Sequence, residues 1–155
     1  MLTSKQKNAV LTGIAGVHHV VSELSLRGMI ALPTVRNTAA YDVIVLSKDG
    51  RKHANIQVKT SSNPPQFWIT PVSGKIRSGP RDFYVFLARP RKEKGFVGYL
   101  VTSKETKHVV RAWEKESTKR VKEGKRKAVA HSFYVYAENK TKARRWATRW
   151  QTWKL

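Results

Sequence analysis

Asp49-Gly50 stands between two runs of alternating apolar and polar residues, Tyr41–Ser47 and His53–Thr60. An Asp-Gly dipeptide in that setting is the strongest short-range sign of a β-hairpin. With those two residues as the turn, Lys48 faces Arg51 and paired residue numbers sum to 99, which puts Asp42 opposite Gln57. Cross-strand partners share a face, with Cβ atoms about 5 Å apart. Lys59, two residues beyond Gln57, lies on that face too. A carboxylate, a carboxamide and an ammonium group are thus expected to converge among the apolar neighbours Ile44, Ile56 and Val58. The hairpin alone also allows a plainer reading, in which this is the solvent side of the sheet and Lys59 pairs with Asp42 at the surface.

The N-terminal element is an expected helix. Thr3 and Gln6 have capping-box spacing, and Val10, Ile14, Val17, Val21 and Leu24 follow at helical intervals up to Gly28. Gly13 and Gly16 each weaken such a helix by about 1 kcal/mol relative to Ala, so close packing against a neighbour is expected there. Strands are expected at Ile30–Val35, Phe67–Ile69, Phe83–Ala88, Phe96–Thr102 and Phe133–Tyr136, beside the two hairpin runs. Thr102 and Glu105 cap a second helix that continues to about Lys122. The order reads as an α/β or α+β chain with one mixed sheet. Its 155 residues suit one domain.

Charge narrows the function. Thirty-one Lys and Arg against ten Asp and Glu give a formal +21, which favours polyanions, nucleic acid before an acidic membrane surface. The absence of Cys excludes thiol catalysis and Cys-ligated zinc. No apolar run is expected to approach the ~20 residues of a membrane span, and the polar start, Met1 to Asn8, is unlike a signal peptide. The expectation is a soluble, intracellular, cytoplasmic protein without a membrane partner. Residues 1–77 carry +7 and residues 78–155 carry +14. The densest run, Lys115–Lys127, includes Lys119, Arg120, Lys125, Arg126 and Lys127, either a solvated face or a track for a phosphate backbone. A second cluster, with Arg144 and Arg145, is interleaved with Trp146, Trp150 and Trp153. Those rings have the spacing of a helical stripe docked on a core, with base stacking as the alternative. Arg36 and Asn37, ahead of the site strand, are phosphate contacts or turn residues.

Asp42 with a neighbouring oxygen donor can hold a hard cation, Mg²⁺ (or Mn²⁺) first, and the Val58 carbonyl is a candidate further ligand. Such an ion polarises a phosphate oxygen and lowers the pKa of bound water, while Lys59 orients that water or offsets developing charge.

The stretch Gly13–Thr60 resembles the core of the PD-(D/E)XK nuclease superfamily, through the helix ending "ELSLRG", then "YDVIV", the Asp-Gly turn and "IQVKTS". It is similar in particular to small bacterial nuclease-like families with Gln in place of the acid before X-Lys. The downstream "FYVFLARP", "GYLVTSKETKHVV" and "RWQTW" are similar to their later strands and helix. The resemblance implies a restriction-endonuclease-like core, a central mixed β-sheet with a helix on each side, over about residues 3–102, with a basic helix, a strand and a Trp-rich part over 103–155. It further implies a metal-binding aspartate at Asp42, a second ligand position at Gln57 and a catalytic lysine at Lys59. Relatives carry a helix Glu after a glycine where this chain has Gly16-Val17. Glu23 is turned by about 120° from Val17 on the helix. His18 and His19 are nearer, with proton transfer and an idle surface position as the two readings.

Three functions remain open. The first is a metal-dependent endonuclease acting on DNA, more than on RNA, through Asp42, Gln57 and Lys59, with a homodimer as the route to a double-strand break. The second is a nuclease-fold module that binds nucleic acid without cutting, and the third is a basic RNA-binding structural protein.

Overall fold

The computed structural model describes residues 3–35, 41–61, 67–89, 95–135 and 140–155, leaving aside the side chains of 4–7 and 140. Arg36 and Asn37 lie outside the described residues, as does Tyr136 of the expected last strand, and the side chain of Gln6 of the expected first capping box is among those left aside.

Helix α1 (Ser4–Leu26) leads through Gly28 into strand β1 (Ile30–Pro33). Gly28 has φ +82°, the left-handed C-terminal stop that an L side chain resists. Strands β2 (Val43–Leu46) and β3 (His53–Ser61) form the hairpin, followed by β4 (Phe67–Ile69), a 3₁₀ turn (Ser73–Lys75), β5 (Asp82–Ala88) and β6 (Val97–Thr102). Helix α2 (Ser103–Lys122), strand β7 (Ser132–Tyr134) and helix α3 (Lys140–Thr152) complete the order. The main sheet runs β1-β2-β3-β5-β6, with β3 and β5 parallel and the other pairs antiparallel, and β4 and β7 make a separate two-stranded ribbon. The expected α/β architecture with a mixed central sheet is the observed one.

Two apolar clusters sandwich that sheet. Val20 and Leu24 of α1 pack on Val43, Val45, Ile56, Val58 and Val85 on one face. Val110 of α2, with Trp68 and Phe133 of the ribbon, packs on Tyr84, Phe86 and Val101 on the other. Phe86 and Phe133 stack at 4.0 Å between ring centres. Helix α3 straddles the β6 edge: Trp146 joins the second cluster and Trp150 the first. The tryptophan stripe is therefore core, and Trp146 and Trp150 offer no ring face to a base.

The buried stripe of α1 is rotated from the expected one. Its centre is Gly16, Val20 and Leu24, with Val17 and Val21 on the flank, while Ile14 is 41% and Leu11 62% exposed. The cause is Gly16, invisible to a count of apolar side chains. A Cβ there would lie 1.8 Å from Thr60 Oγ1, so its absence lets the helix settle onto β3. Gly13 has open space around it and no such role. A second correction concerns membrane spans. The stretch Asn8–Leu26 is long and apolar enough by length and composition to cross a bilayer, with a mean hydropathy of 1.3. In this fold its Val20–Leu24 face is spent on the sheet.

The capping box at α2 is present in full. Glu105 N–H donates to Thr102 Oγ1 at 3.2 Å, and Thr102 N–H to Glu105 Oε2 at 3.0 Å. The same carboxylate receives Arg149 Nη1 at 2.7 Å and a short contact from Arg145. Burial alone would raise the Glu105 pKa; the hydrogen bonds from Arg149, Thr102 and Arg145 outweigh it and hold the carboxyl well below its usual range. Glu105 thereby bolts α3 to the start of α2.

Candidate functional site

The hairpin register is the expected one: Val43 pairs Ile56, Ile44 pairs Asn55, Val45 pairs Ala54 and Leu46 pairs His53, each summing to 99. The turn differs. Ser47 N–H donates to Lys52 carbonyl at 3.0 Å and Gly50 N–H to Ser47 carbonyl at 2.8 Å, so the loop holds four residues, 48–51, not two. Gly50 takes φ +71°. Asp49 Oδ1 accepts from Ser47 Oγ at 2.6 Å and Arg51 N–H at 3.1 Å, which closes the wider loop. Two residues are added symmetrically, so the pairing sum is unchanged.

The ladder breaks at Asp42. Alternation of the hydrogen bonds would send Val58 N–H to the Tyr41 carbonyl. It donates instead to Asp42 Oδ2 at 2.7 Å, and the Tyr41 carbonyl accepts from Thr34 Oγ1 at 2.6 Å. The Asp42 carboxylate stands in for a main-chain acceptor, and the chain before it leaves β3 for β1. The result is a fork in the sheet with Asp42 at its root.

A cavity flanks each side of the fork. The larger, about 410 Å³, opens under α1 and is lined by Asp42, Val58, Thr34, Val17 and His18. The smaller, about 280 Å³, lies on the opposite face and is lined by Gln57, Tyr41, Tyr84, Lys75, Arg77 and Ser103. Asp42 and Gln57 thus neighbour each other along the strands but line different cavities. Lys59 is half-buried and shares the Gln57 face by alternation. The Asp42 charge is felt across the fork. Burial first, then Asp42, Asp82 and Tyr41, push the Tyr84 hydroxyl up to about 12.

Among the described residues, α1 brings no acid into the Asp42 cavity. Val17 is half-buried against the first cluster and lines the Asp42 cavity. His18 lines it as well, whereas His19 faces away, its ring 4.9 Å from Phe96, with burial lowering its pKa. Glu23 is paired to Arg27 at 2.9 Å.

Several of the surface cations are already engaged. Arg120 pairs with Glu116 at 2.9 Å, Lys119 with Glu123 at 4.0 Å and Lys125 with Glu123 at 2.8 Å. Arg120 and Arg126 both lie over the Trp113 ring, at 5.5 and 6.0 Å. Arg145 is committed to Glu105, while Lys127 and Arg144 are exposed. Of the aromatic residues after β3, Phe67 stacks on Tyr134, and Trp68 is core, with Nε1 donating to the Leu87 carbonyl at 2.8 Å. Lys75 and Arg77 have no counterpart among the sequence-based candidates. They lie between β4 and β5, where the sequence carries neither a periodic pattern nor a charge run to single them out.

The donors beside Asp42 limit which cation the fork can take. Among the described residues no group of three His, Cys, Asp or Glu forms. One carboxylate with its second oxygen uncommitted to Val58, and Val58 beside it in the same cavity, suit a weakly held hard ion that keeps its waters and completes its shell with a substrate phosphate. Gln57, on the other cavity, falls outside that set.

No family model and no curated protein matches the chain. Among solved structures it is similar to the Archaeoglobus fulgidus Holliday junction resolvase Hjc, with 14% identity over 59% of this chain and 73% of that one, at a TM-score of 0.42. It is also similar to a bacterial homing endonuclease, with 18% identity over 67% of this chain and 68% of that one, at a TM-score of 0.45. Likenesses this loose assign no residue a role.

Proposed function

We propose that the protein binds DNA and hydrolyses its phosphodiester bonds at the β2–β3 fork, with Mg²⁺ or Mn²⁺ as cofactor. The observation that carries this reading is the Asp42 carboxylate, drawn out of the ladder and fixed by Val58 N–H at the point where β2 leaves β3. A solvent-face aspartate has no reason to displace a main-chain acceptor. The motif order around it supports the same reading, with Gln57 and Lys59 next along β3.

Asp42 and the Val58 carbonyl would hold the ion, which supplies polarisation of the phosphate and a more acidic bound water. Lys59, half-buried on the Gln57 face, would meet the phosphate from across the fork and offset charge that develops on it. Gln57 keeps a polar amide at the fork without adding a second negative charge. The excess of cations holds the strand and makes binding fall with salt.

A second reading is a binding module of the same fold that does not cut. Two observations favour it: Val17 puts an apolar side chain in the Asp42 cavity, and Gln57 lines the opposite one. Supercoiled plasmid incubated with the protein separates the two. The expected result is conversion to open circle with Mg²⁺ or Mn²⁺ and none with chelator. Tight binding with no nicking under any metal would leave the module.

A further inference from the structure

The turn between β4 and β5 is built more firmly than a connecting loop needs to be. Lys75 N–H closes it on the Val72 carbonyl at 2.9 Å. Glu114 of α2 then pins it, accepting from Ser73 N–H at 2.8 Å and Ser73 Oγ at 2.5 Å, and meeting His131 Nδ1 at 2.8 Å. Ile76 follows in extended backbone and is 2% exposed, anchored in the second cluster. With Ile76 turned inward, its neighbours Lys75 and Arg77 turn outward together.

Both cations are exposed and line the 280 Å³ cavity beside Gln57. Among the described residues, neither makes an ion pair, and no carboxylate lines that cavity. Ser103, also on its wall, is the first residue of the 20-residue helix α2, whose positive end adds to the field there. The first-turn carboxylate, Glu105, is already satisfied by Thr102, Arg145 and Arg149. A fixed turn thus presents two unspent cations to a hollow free of acids, on the face shared by Gln57 and Lys59.

We propose that Lys75 and Arg77 clamp a backbone phosphate of a nucleic-acid strand on the Gln57 side of the fork. The proposal rests on the nucleic-acid reading above and adds the residues that hold the strand. The pinned turn fixes the backbone of the clamp, so only the two side chains are left to be ordered on binding.

The test measures duplex affinity by fluorescence anisotropy between about 50 and 200 mM salt, where log affinity falls linearly with log salt. The double variant Lys75→Ala/Arg77→Ala is compared with Arg51→Ala/Lys52→Ala, which removes the same charge at the exposed hairpin tip. The clamp variant is expected to bind about tenfold more weakly and to lose about one unit of salt slope, the share of the one phosphate it holds. The tip variant is expected to lose clearly less, with both melting as wild type does. Equal losses in the two variants would reduce the clamp to net charge and overturn it. Inorganic phosphate, titrated at constant ionic strength, is expected to leave the difference intact. If millimolar phosphate erases it, the ligand is the free anion and the strand assignment fails. A wild type that binds and nicks DNA while the clamp variant keeps its slope sinks the clamp alone. A wild type that binds no duplex sinks the nucleic-acid reading with it.

Discussion

Lys59→Ala lowers the rate of plasmid nicking by about a thousandfold and leaves duplex affinity within about twofold. The asymmetry follows from position. Lys59 sits mid-strand on β3, half-buried, beside β5 in a parallel register that places it level with Phe86. Truncating it removes one cation of thirty-one, a small share of a binding energy spread over the surface. On the proposed reading it also removes the ammonium group that would meet charge developing in the transition state, a contribution that a preorganised site makes large. Asp42→Asn gives a comparable loss of nicking, and it is the better variant at that position. Its side-chain oxygen still accepts from Val58 N–H, so the fork keeps its shape while the negative charge is gone. Nicking that survives both changes would remove the fork from the chemistry.

Trp146→Ala destabilises the fold by about 3–5 kcal/mol, read from chemical denaturation, a large part of the 5–15 kcal/mol typical of a domain. Trp146 is 1% exposed, packs on Phe133 at 5.2 Å between ring centres and points Nε1 at Glu105 Oε1 at 3.3 Å. Its removal opens a cavity in the second cluster and loosens the hold of α3 on the β6 edge. At temperatures where the variant stays folded, duplex affinity is unchanged. If binding fell while stability held, the ring would be a stacking platform and not part of the core.

Much of this arrangement could be read from the residues alone, because its determinants are local. Asp49-Gly50 and the flanking alternation set a pairing sum that survived even though the turn is two residues wider, since a symmetric loop extension leaves register untouched. Thr102 and Glu105 announced α2 through a contact three residues apart. The tryptophan spacing announced a docked helix. What was illegible depends on contacts distant in sequence. Gly16 decides the rotation of α1, but only its closeness to Thr60 reveals why. The apolar length of Asn8–Leu26 is masked in the sequence by the Gly, Ser, His and Thr that interrupt the apolar residues.

The site was legible in its members and not in its faces. Regular alternation puts Asp42 and Gln57 side by side, yet the Asp42 carboxylate replaces a backbone carbonyl and the strand departs at that residue. Pairing arithmetic assumes an unbroken ladder and cannot foresee such an exchange. Lys75 and Arg77 reach the same place through a turn held by Glu114, a contact spanning 41 residues. Arg145 reads from sequence as a phosphate contact, yet Glu105, 40 residues away, takes its charge.

The most direct test of the account is ion uptake by Asp42, measured apart from catalysis. Free Mn²⁺ is followed by electron paramagnetic resonance as it is titrated into Lys59→Ala bound to duplex, a background chosen to keep the substrate whole. The expected result is uptake of about one ion per chain, weak without DNA and stronger with it, as the phosphate completes the shell. Adding Asp42→Asn to that background should abolish the uptake while duplex affinity persists. Equal uptake with and without the Asp42 carboxylate would contradict the account.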